Sequence, residues 1–277
     1  MQMTYRTVMV NLSIDQPNEA VVEIAGQLAE QFNAGIIGIA ASVFSPPPYF
    51  LAGTPAQNLI DQGEREIKQR LSEMEGIFRA AVAGRTKDIE WRCALEMPAR
   101  YIAKEARAAD VIVTAGSGEA IADPFALAGP DDLVMQVARP LLVVPPTVRW
   151  LDLRSALVAW KDGLEARRAV ADALPMLAKA KEVIVAAVAE HEGGQAAASR
   201  QVEDVVAWLS RHGILASGLV PDNSGNVAGQ LDRIAADVGA GVVVAGAYGH
   251  SRFREWVLGG VTQHLVAQPV RCSLLSR

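Results

Sequence analysis

The sequence has few aromatic residues, only two cysteines and no long apolar or basic run. Aromatic side chains make up 5% of the 277 residues, although 51% are hydrophobic, so alanine, valine, leucine and isoleucine carry most of the apolar share. This mixture is typical of parallel strands covered by helices. It predicts an α/β fold, and the length favours two units of about 140 residues.

The charge pattern excludes several classes of partner. The formal net charge is −5, and neither half has the Lys/Arg run that a nucleic-acid surface requires. No stretch approaches the roughly 20 apolar residues of a membrane span. Asn11 and Asp15 stand where a signal peptide stays apolar. We therefore expect a cytoplasmic protein with no nucleic-acid partner and no membrane partner.

The cysteines and histidines do not suggest a catalytic or metal centre. Cys93 and Cys272 lie one in each half, inside strand-like stretches without a nearby histidine. Such cysteines are predicted to be buried structural thiols. The four histidines have no metal-ligand spacing, so no metal site is expected.

The order of strands and helices occurs twice along the chain. Short β-branched runs between amphipathic stretches predict five strands in each half. The first-half strands are Thr7–Leu12, Gly35–Val43, Asp88–Leu95, Asp110–Ala115 and Leu141–Val144. The second-half strands are Ala156–Trp160, Val183–Val188, Ile214–Val220, Gly241–Ala245 and Val270–Leu274. Between the second and third strands, helical spacing predicts a core-facing stripe formed by Ile60, Ile67, Leu71, Met74 and Phe78.

Direct sequence matches indicate a duplication. The segment 110–116 (DVIVTAG) matches 240–246 (AGVVVAG) at an offset of 130, and Gly129 and Gly259 share that offset. Paired prolines in the segment 145–152 predict a short, stiff connector. The two domains are therefore expected at residues 1–147 and 152–277.

One insert distinguishes the first half. Residues 45–56 include the prolines 46–48 and Gly53, and the second half has no counterpart of this composition. A surface loop between strand and helix is favoured over a partner-binding polyproline segment.

A glycine-rich segment in the second half lies where a ligand is expected. Ligands of open parallel sheets bind beyond the carboxyl ends of the strands, at loops such as those after the first and fourth strands. The fourth-strand loop and the following helix start, residues 246–262, read GAYGHSRFREWVLGGVT. Glycines let backbone amides approach phosphate, and the free N–H groups of a helix N-terminus form an anion site.

The spacing of Gly246, Gly249 and Gly259 resembles the nucleotide-binding signature of the universal stress protein family, G-x2-G-x9-G-(S/T), with Gly260 at the last position. The resemblance covers essentially the whole chain, twice. It implies two tandem five-stranded, Rossmann-like domains of the adenine nucleotide alpha hydrolase type, whose fifth strands meet. It also implies a non-catalytic stress-response or regulatory protein, with ATP or AMP as the ligand of the second half alone.

The candidate ligand contacts follow from this motif and from the loop after the first strand of the second half. They are Ala159, Trp160, Lys161, Gly246, Gly249, His250, Arg252, Gly259, Gly260, Val261 and Thr262. Lys161 stands where the family has an aspartate; it could contact phosphate as a point charge, but a solvated surface lysine is the favoured interpretation. Asp162 is predicted to be the N-cap of the helix that includes Glu165–Leu177.

The first half has a segment that corresponds to this motif, but its charges are negative. Glu119 replaces the second glycine, and Pro130, Asp131 and Asp132 follow Gly129. Carboxylates at a helix N-terminus complement its dipole and repel a polyanion. Pro130 also removes a backbone donor. We therefore expect no nucleotide in the first half.

Two other functions stay open. In the first, both sites are empty and the fused halves form an intramolecular pseudo-dimer that presents a surface to protein partners; a further homodimer is compatible with it. In the second, the chain is a nucleotide-hydrolysing or adenylating enzyme. The second is disfavoured because the sequence lacks a Walker loop, a Ser-Gly-Gly pyrophosphatase-type loop and paired-carboxylate metal ligands.

Overall fold

The computed structural model describes residues 4–46, 54–117, 123–188, 194–222, 225–248, 260–267 and 269–277. The first half contains β1 (Thr7–Leu12), α1 (Glu19–Phe32), β2 (Gly35–Ala41), α2 (Thr54–Val82), β3 (Ile89–Ala94), α3 (Pro98–Glu105), β4 (Val111–Ala115), α4 (Pro130–Gln136) and β5 (Leu141–Val144). The second half contains β6 (Ser155–Ala159), α5 (Leu164–Leu177), β7 (Glu182–Ala186), α6 (Gln195–Arg211), β8 (Ala216–Leu219), α7 (Val227–Asp237), β9 (Val242–Gly246), α8 (Gly260–Ala267) and β10 (Cys272–Ser276).

All ten strands belong to one sheet, in the order β3-β2-β1-β4-β5-β10-β9-β6-β7-β8. Every strand pair within a half is parallel. The halves join through an antiparallel pair, β5 and β10, in which Leu142 lies opposite Leu274. The predictions of two five-stranded parallel halves and of a junction between the fifth strands are confirmed.

Helices cover both faces of the sheet. Apolar residues of α1, α2, α5 and α6 form the core on one face, and those of α3, α4, α7 and α8 form the core on the other. The stripe predicted on α2 faces the first core: Ile67, Leu71 and Phe78 are buried, and Met74 packs against them. The spacing of apolar residues along the helix therefore identified the packed face correctly.

Some strand boundaries differ from those predicted. The last strand begins at Cys272 rather than Val270, which is 61% exposed, and it continues to Ser276. Ser273 and Ser276 are both buried, and the Ser276 hydroxyl donates to Asp172 Oδ2 at 2.9 Å. Because an apolar run ends at its last hydrophobic residue, it cannot indicate a strand end formed by a hydrogen-bonded serine.

The prediction for the cysteines is half wrong. Cys272 is buried, but Cys93 is exposed. The reason is the position of β3, which forms one edge of the sheet and is only partly covered. A strand-like sequence does not reveal whether the strand lies in the centre or at the edge of the sheet.

The connector between the halves is held by a side chain of α1. Gln27 Nε2 donates to the Arg149 carbonyl, and Gln27 Oε1 accepts from the Leu151 N–H, each at 2.8 Å. Leu151 is only 1% exposed. The connector therefore packs against the first half. Of the proline-containing insert, residues 47–53 lie outside the described residues, and α2 begins at Thr54.

Candidate functional site

The sheet has the topology that creates a ligand crevice in each half. In the second half, β6 lies beside β9, and Ala159 is the partner of Ala245. The chain then passes from β6 to α5 on one face of the sheet and from β9 to α8 on the other. In the first half, β1 and β4 are paired in the same way. In each half, the helices that follow the paired strands therefore pack on opposite faces of the sheet, and ligands of such sheets bind at the carboxyl ends of these strands.

The start of α8 is the described part of the predicted phosphate site. The helix begins at Gly260, next to the predicted position of Val261, and its first turn contains no acidic residue. Gly260 is exposed, Val261 is half-buried and Thr262 is buried. The free N–H groups and the positive end of the helix dipole favour an anion at this point. The predicted contacts Gly249, His250, Arg252 and Gly259 lie outside the described residues.

Gly246, another predicted contact, has a packing role in the structure. A Cβ added to it would lie 2.5 Å from the Ala166 backbone nitrogen and 2.7 Å from the Glu165 carbonyl carbon. The first turn of α5 therefore approaches β9 so closely that only glycine fits. This contact accounts for the first glycine of the motif without a ligand.

The loop after β6 is held by contacts within the protein. The backbone N–H of Trp160 donates to the Ala186 carbonyl at 2.7 Å, and Trp160 is only 8% exposed. Lys161, the next residue, is exposed. The prediction that Asp162 is the N-cap of α5 is wrong. Gly163 is at the cap, and Asp162 accepts from Arg167 Nη2 at 2.8 Å, since an ion pair with the next turn competes with capping.

The corresponding crevice of the first half has a different chemistry. Pro130, Asp131 and Asp132 form the first turn of α4, as predicted. Asn11 Nδ2 donates to Thr114 Oγ1 at 3.0 Å and to the Ala128 carbonyl at 3.3 Å, and Asn11 is 5% exposed. Sequence reasoning did not identify this bridge. The signal for it was a polar residue within an otherwise apolar central strand.

The loops after β4 and β9 also contact the opposite half. The Tyr248 hydroxyl donates to Asp131 Oδ1 at 2.6 Å. The Ser117 N–H donates to the Val266 carbonyl at 3.1 Å, and a Cβ on Gly116 would lie 2.6 Å from Pro269 Cγ. The two crevices therefore adjoin the junction of the halves. These contacts join residues more than 100 positions apart, so no local sequence pattern indicates them.

Neither a metal centre nor a membrane-spanning helix is found among the described residues. Within the described ranges, no three His, Cys, Asp or Glu side chains converge in a way that would hold a metal ion. No helix among these residues is long and apolar enough to cross a membrane.

Comparison with known proteins identifies the fold. No protein-family model and no curated protein matches the sequence. A universal stress protein from Archaeoglobus fulgidus DSM 4304 is 15% identical, and the match covers 98% of each chain with a TM-score of 0.73. A putative universal stress protein from Pseudomonas aeruginosa UCBPP-PA14 is also 15% identical, and the match covers 98% of this chain and 93% of that one with a TM-score of 0.60. The chain therefore has the fold of universal stress proteins over both of its halves.

Proposed function

We propose that this chain is a tandem universal stress protein that binds one adenine nucleotide, ATP or AMP, in its second half and acts by binding rather than by catalysis. The observation that carries the proposal is the difference between two equivalent helix starts. The first turn of α8 contains no acidic residue, whereas that of α4 contains Asp131 and Asp132. The dipole of α8 is thus available to an anion, and that of α4 is already complemented by carboxylates.

In this proposal the phosphates lie at the start of α8. The backbone N–H groups of Gly260 and Val261 donate to phosphate oxygens, and the Thr262 hydroxyl adds a donor. A Cβ on Gly260 would meet no atom of the described residues within 4 Å. Gly249, His250, Arg252 and Gly259 complete the phosphate side, and Ala159, Trp160 and Lys161 border the same crevice from β6.

The first half takes no nucleotide in this proposal. A phosphate at α4 would meet two carboxylates and the proline nitrogen of Pro130, which has no hydrogen to donate. The bridge from Asn11 to Thr114 and Ala128 spans the crevice between β1 and β4. We assign residues 1–147 to this ligand-free domain and residues 152–277 to the ligand-binding domain.

We expect the protein to act in the cytoplasm. Cys93 and Cys272 are both free thiols, which fits a reducing compartment. The net charge of −5 disfavours nucleic acid as a partner.

A nucleotide-free scaffold is the second candidate, and one observation favours it. Residues in the loops that would bind the ligand make packing contacts within the protein instead. Gly246 leaves room for α5, and Tyr248 and Ser117 contact the opposite half. In this alternative the fused halves provide a surface for protein partners.

Mass spectrometry of small molecules released from the purified, denatured protein separates the two candidates. The nucleotide proposal predicts adenine nucleotide at about one equivalent per chain. Absence of nucleotide, together with no binding of added ATP or AMP, would support the scaffold. Two equivalents per chain would contradict the assignment of the ligand to the second half.

A further inference from the structure

A groove of about 490 Å³ lies between α5 and α6 of the second half. It opens on the sheet face opposite to α8, since α5 and α6 pack on one core and α8 packs on the other. Its volume falls within the range of about 300–1,000 Å³ that is usual for small-molecule sites. Of the residues in the nucleotide proposal, Trp160 also lines this groove.

The inner walls of the groove are apolar and aromatic. One side of the groove is lined by Trp160, directly after β6, and by Val170 of α5. The other side is lined by Val205 and Trp208 of α6. The first three are at least nine-tenths buried, whereas Trp208 is half-buried. The Trp208 ring packs against the His212 ring, with centroids 4.2 Å apart. Two indole rings and two valines therefore provide a surface for an apolar body the size of one ring.

The rim of the groove carries one unpaired negative charge. Asp162 is bound by Arg167, whose Nη2 and Nε lie 2.8 and 3.1 Å from Asp162 Oδ1, so the charges of this pair cancel. Asp204 is exposed and makes no hydrogen bond or ion pair with any residue that the structure describes. It precedes Trp208 by four residues on α6, so the carboxylate and the indole share one helix face.

We propose that this groove is a binding site for a small organic cation: a protonated amine on an apolar, ring-sized body. The ammonium group donates to the Asp204 carboxylate and lies against the Trp208 ring, where a charge-assisted hydrogen bond and a cation–π contact act together. The ring packs on Val170 and Val205. The site shares Trp160 with the proposed nucleotide crevice, but its other contacts lie on α5 and α6, on the sheet face opposite to α8.

Three probes that differ mainly in charge test the proposal by calorimetric titration of the full chain. Tyramine carries an ammonium group, tyrosol carries a hydroxyl, and 3-(4-hydroxyphenyl)propanoate carries a carboxylate, and all three share the phenol. Tyramine is expected to bind, at least about tenfold more tightly than tyrosol, and the propanoate is expected not to bind. Equal binding of the three probes, or binding of none, would overturn the proposal.

Matched variants on α6 locate the site. Asp204→Asn is expected to weaken tyramine binding about tenfold, because the charged acceptor is lost. Glu203→Gln removes the neighbouring exposed carboxylate, which does not line the groove, and is expected to leave binding unchanged. Both positions are exposed, and thermal melts of the variants check that the fold is retained. Equal effects of the two changes would overturn the assignment.

Competition with ATP separates this site from the nucleotide crevice. Saturating ATP is expected to leave the affinity for tyramine unchanged, and the same holds if ATP does not bind at all. Displacement of tyramine by ATP would place both ligands in one crevice and would contradict the proposed groove.

Discussion

Gln27 illustrates how one side chain holds the connector to the body of the protein. Its amide satisfies both a carbonyl and an N–H of the segment that links the halves, and the N–H belongs to the buried residue Leu151. Loss of the amide leaves both backbone groups without this partner, and the Leu151 N–H lies where water has little access. Such an unsatisfied buried group is more costly than the net gain from forming the bond.

Gln27→Ala is therefore expected to lower the free energy of unfolding by about 1–3 kcal/mol, as measured by urea denaturation. Gln62→Ala is the matched control, because Gln62 is exposed on α2 and bonds only to Glu66 one turn away. The control is expected to change stability by less than about 0.5 kcal/mol. Equal losses in the two variants would contradict a structural role for the Gln27 bridge.

The two cysteines are expected to differ sharply in reactivity. Burial raises the pKa of the Cys272 thiol to about 12, so little thiolate forms near neutral pH, whereas Cys93 is exposed on the edge strand β3. In the native protein, one thiol per chain is expected to react rapidly with a disulfide reagent, and Cys93→Ser is expected to abolish that fast phase. Rapid labelling of both thiols without denaturant would show that β10 is not buried as described.

Single residues show where sequence reasoning is strong and where it fails. The apolar surroundings of Cys272 predicted its burial correctly, because β10 is a central strand. The same reasoning was wrong for Cys93 because burial of a strand residue depends on its place in the sheet. Asp162 had the chemistry of an N-cap, but Arg167 in the first turns of α5 binds its carboxylate instead. The sequence did not show that Arg167 competes with the helix N-terminus for the Asp162 carboxylate.

Among the elements, the contact of α5 with the end of β9 sets the shape of the second crevice. Gly246 allows the approach, since a Cβ there would overlap the backbone of Glu165 and Ala166. Gly260 belongs to the same sequence motif, yet a Cβ on it would meet no atom within 4 Å in the part of the chain that the structure describes. Packing against α5 therefore requires a glycine at position 246, whereas the described neighbours of Gly260 do not require one there.

Gly246→Ala is expected to destabilise the protein by about 1–3 kcal/mol, because α5 must move away from the sheet. Gly260→Ala is expected to change stability by less than about 0.5 kcal/mol. Thermal or chemical denaturation of the pair measures the difference. A Gly260→Ala variant that loses as much stability as Gly246→Ala would contradict the packing described for α5.

An ion pair ties α1 to the turn before β3 and makes stability depend on pH. Arg85 Nη2 lies 2.7 and 2.8 Å from the two carboxylate oxygens of Glu23. Burial by itself would raise the pKa of Glu23, but hydrogen bonds from Gln27 and Arg85 outweigh it, so the pKa is lowered from its usual 4.5. A lowered pKa in the folded state contributes stability above pH 4.5, and this contribution is lost as the pH falls through the folded-state pKa.

Glu23→Gln is therefore expected to lower the melting temperature at pH 7, and the difference from the wild type is expected to shrink as the pH falls below 4.5. Melting curves recorded from pH 7 to pH 3 provide the measurement. A difference that stays constant over this range would mean that the Glu23 charge does not contribute to stability.

The order of elements was predictable from sequence to a large extent. β-branched runs identified all ten strands, and the core-facing side of α2 followed from apolar spacing. Polar strand residues were the main source of error: Ser276 extends β10 beyond its apolar run, and Asn11 forms an unpredicted bridge. The helix start at Gly260 was predicted closely, because a glycine followed by an apolar helical stretch marks it. The contacts between the crevices and the opposite half depend on long-range packing and were not predictable.

At the scale of the whole molecule, the two halves share one continuous sheet. β5 and β10 are fully buried, and their antiparallel pairing connects the halves at the centre of the sheet. The Tyr248 to Asp131 hydrogen bond crosses the same junction. Neither half can unfold without exposing the apolar central strand of the other.

A single cooperative unfolding transition is therefore expected by differential scanning calorimetry. Leu142→Ala removes a buried side chain at the junction and is expected to destabilise the protein by about 2–5 kcal/mol. The whole transition is expected to shift to lower temperature without splitting. Two separate transitions in the wild type would show that the halves are independent domains.

The central claim is that nucleotide binds to the second half alone, and calorimetric titration of ATP into two matched variants tests it most directly. A Cβ on Gly260 or on Gly129 would meet no atom of a described residue within 4 Å, so an aspartate at either position adds charge without a steric clash at Cβ with these residues. Gly260→Asp is expected to abolish the binding of one equivalent of ATP, as is Gly259→Asp at a position outside the described residues. Gly129→Asp is expected to leave affinity and stoichiometry unchanged. Binding of two equivalents by the wild type, or loss of binding in Gly129→Asp but not in Gly260→Asp, would contradict the claim.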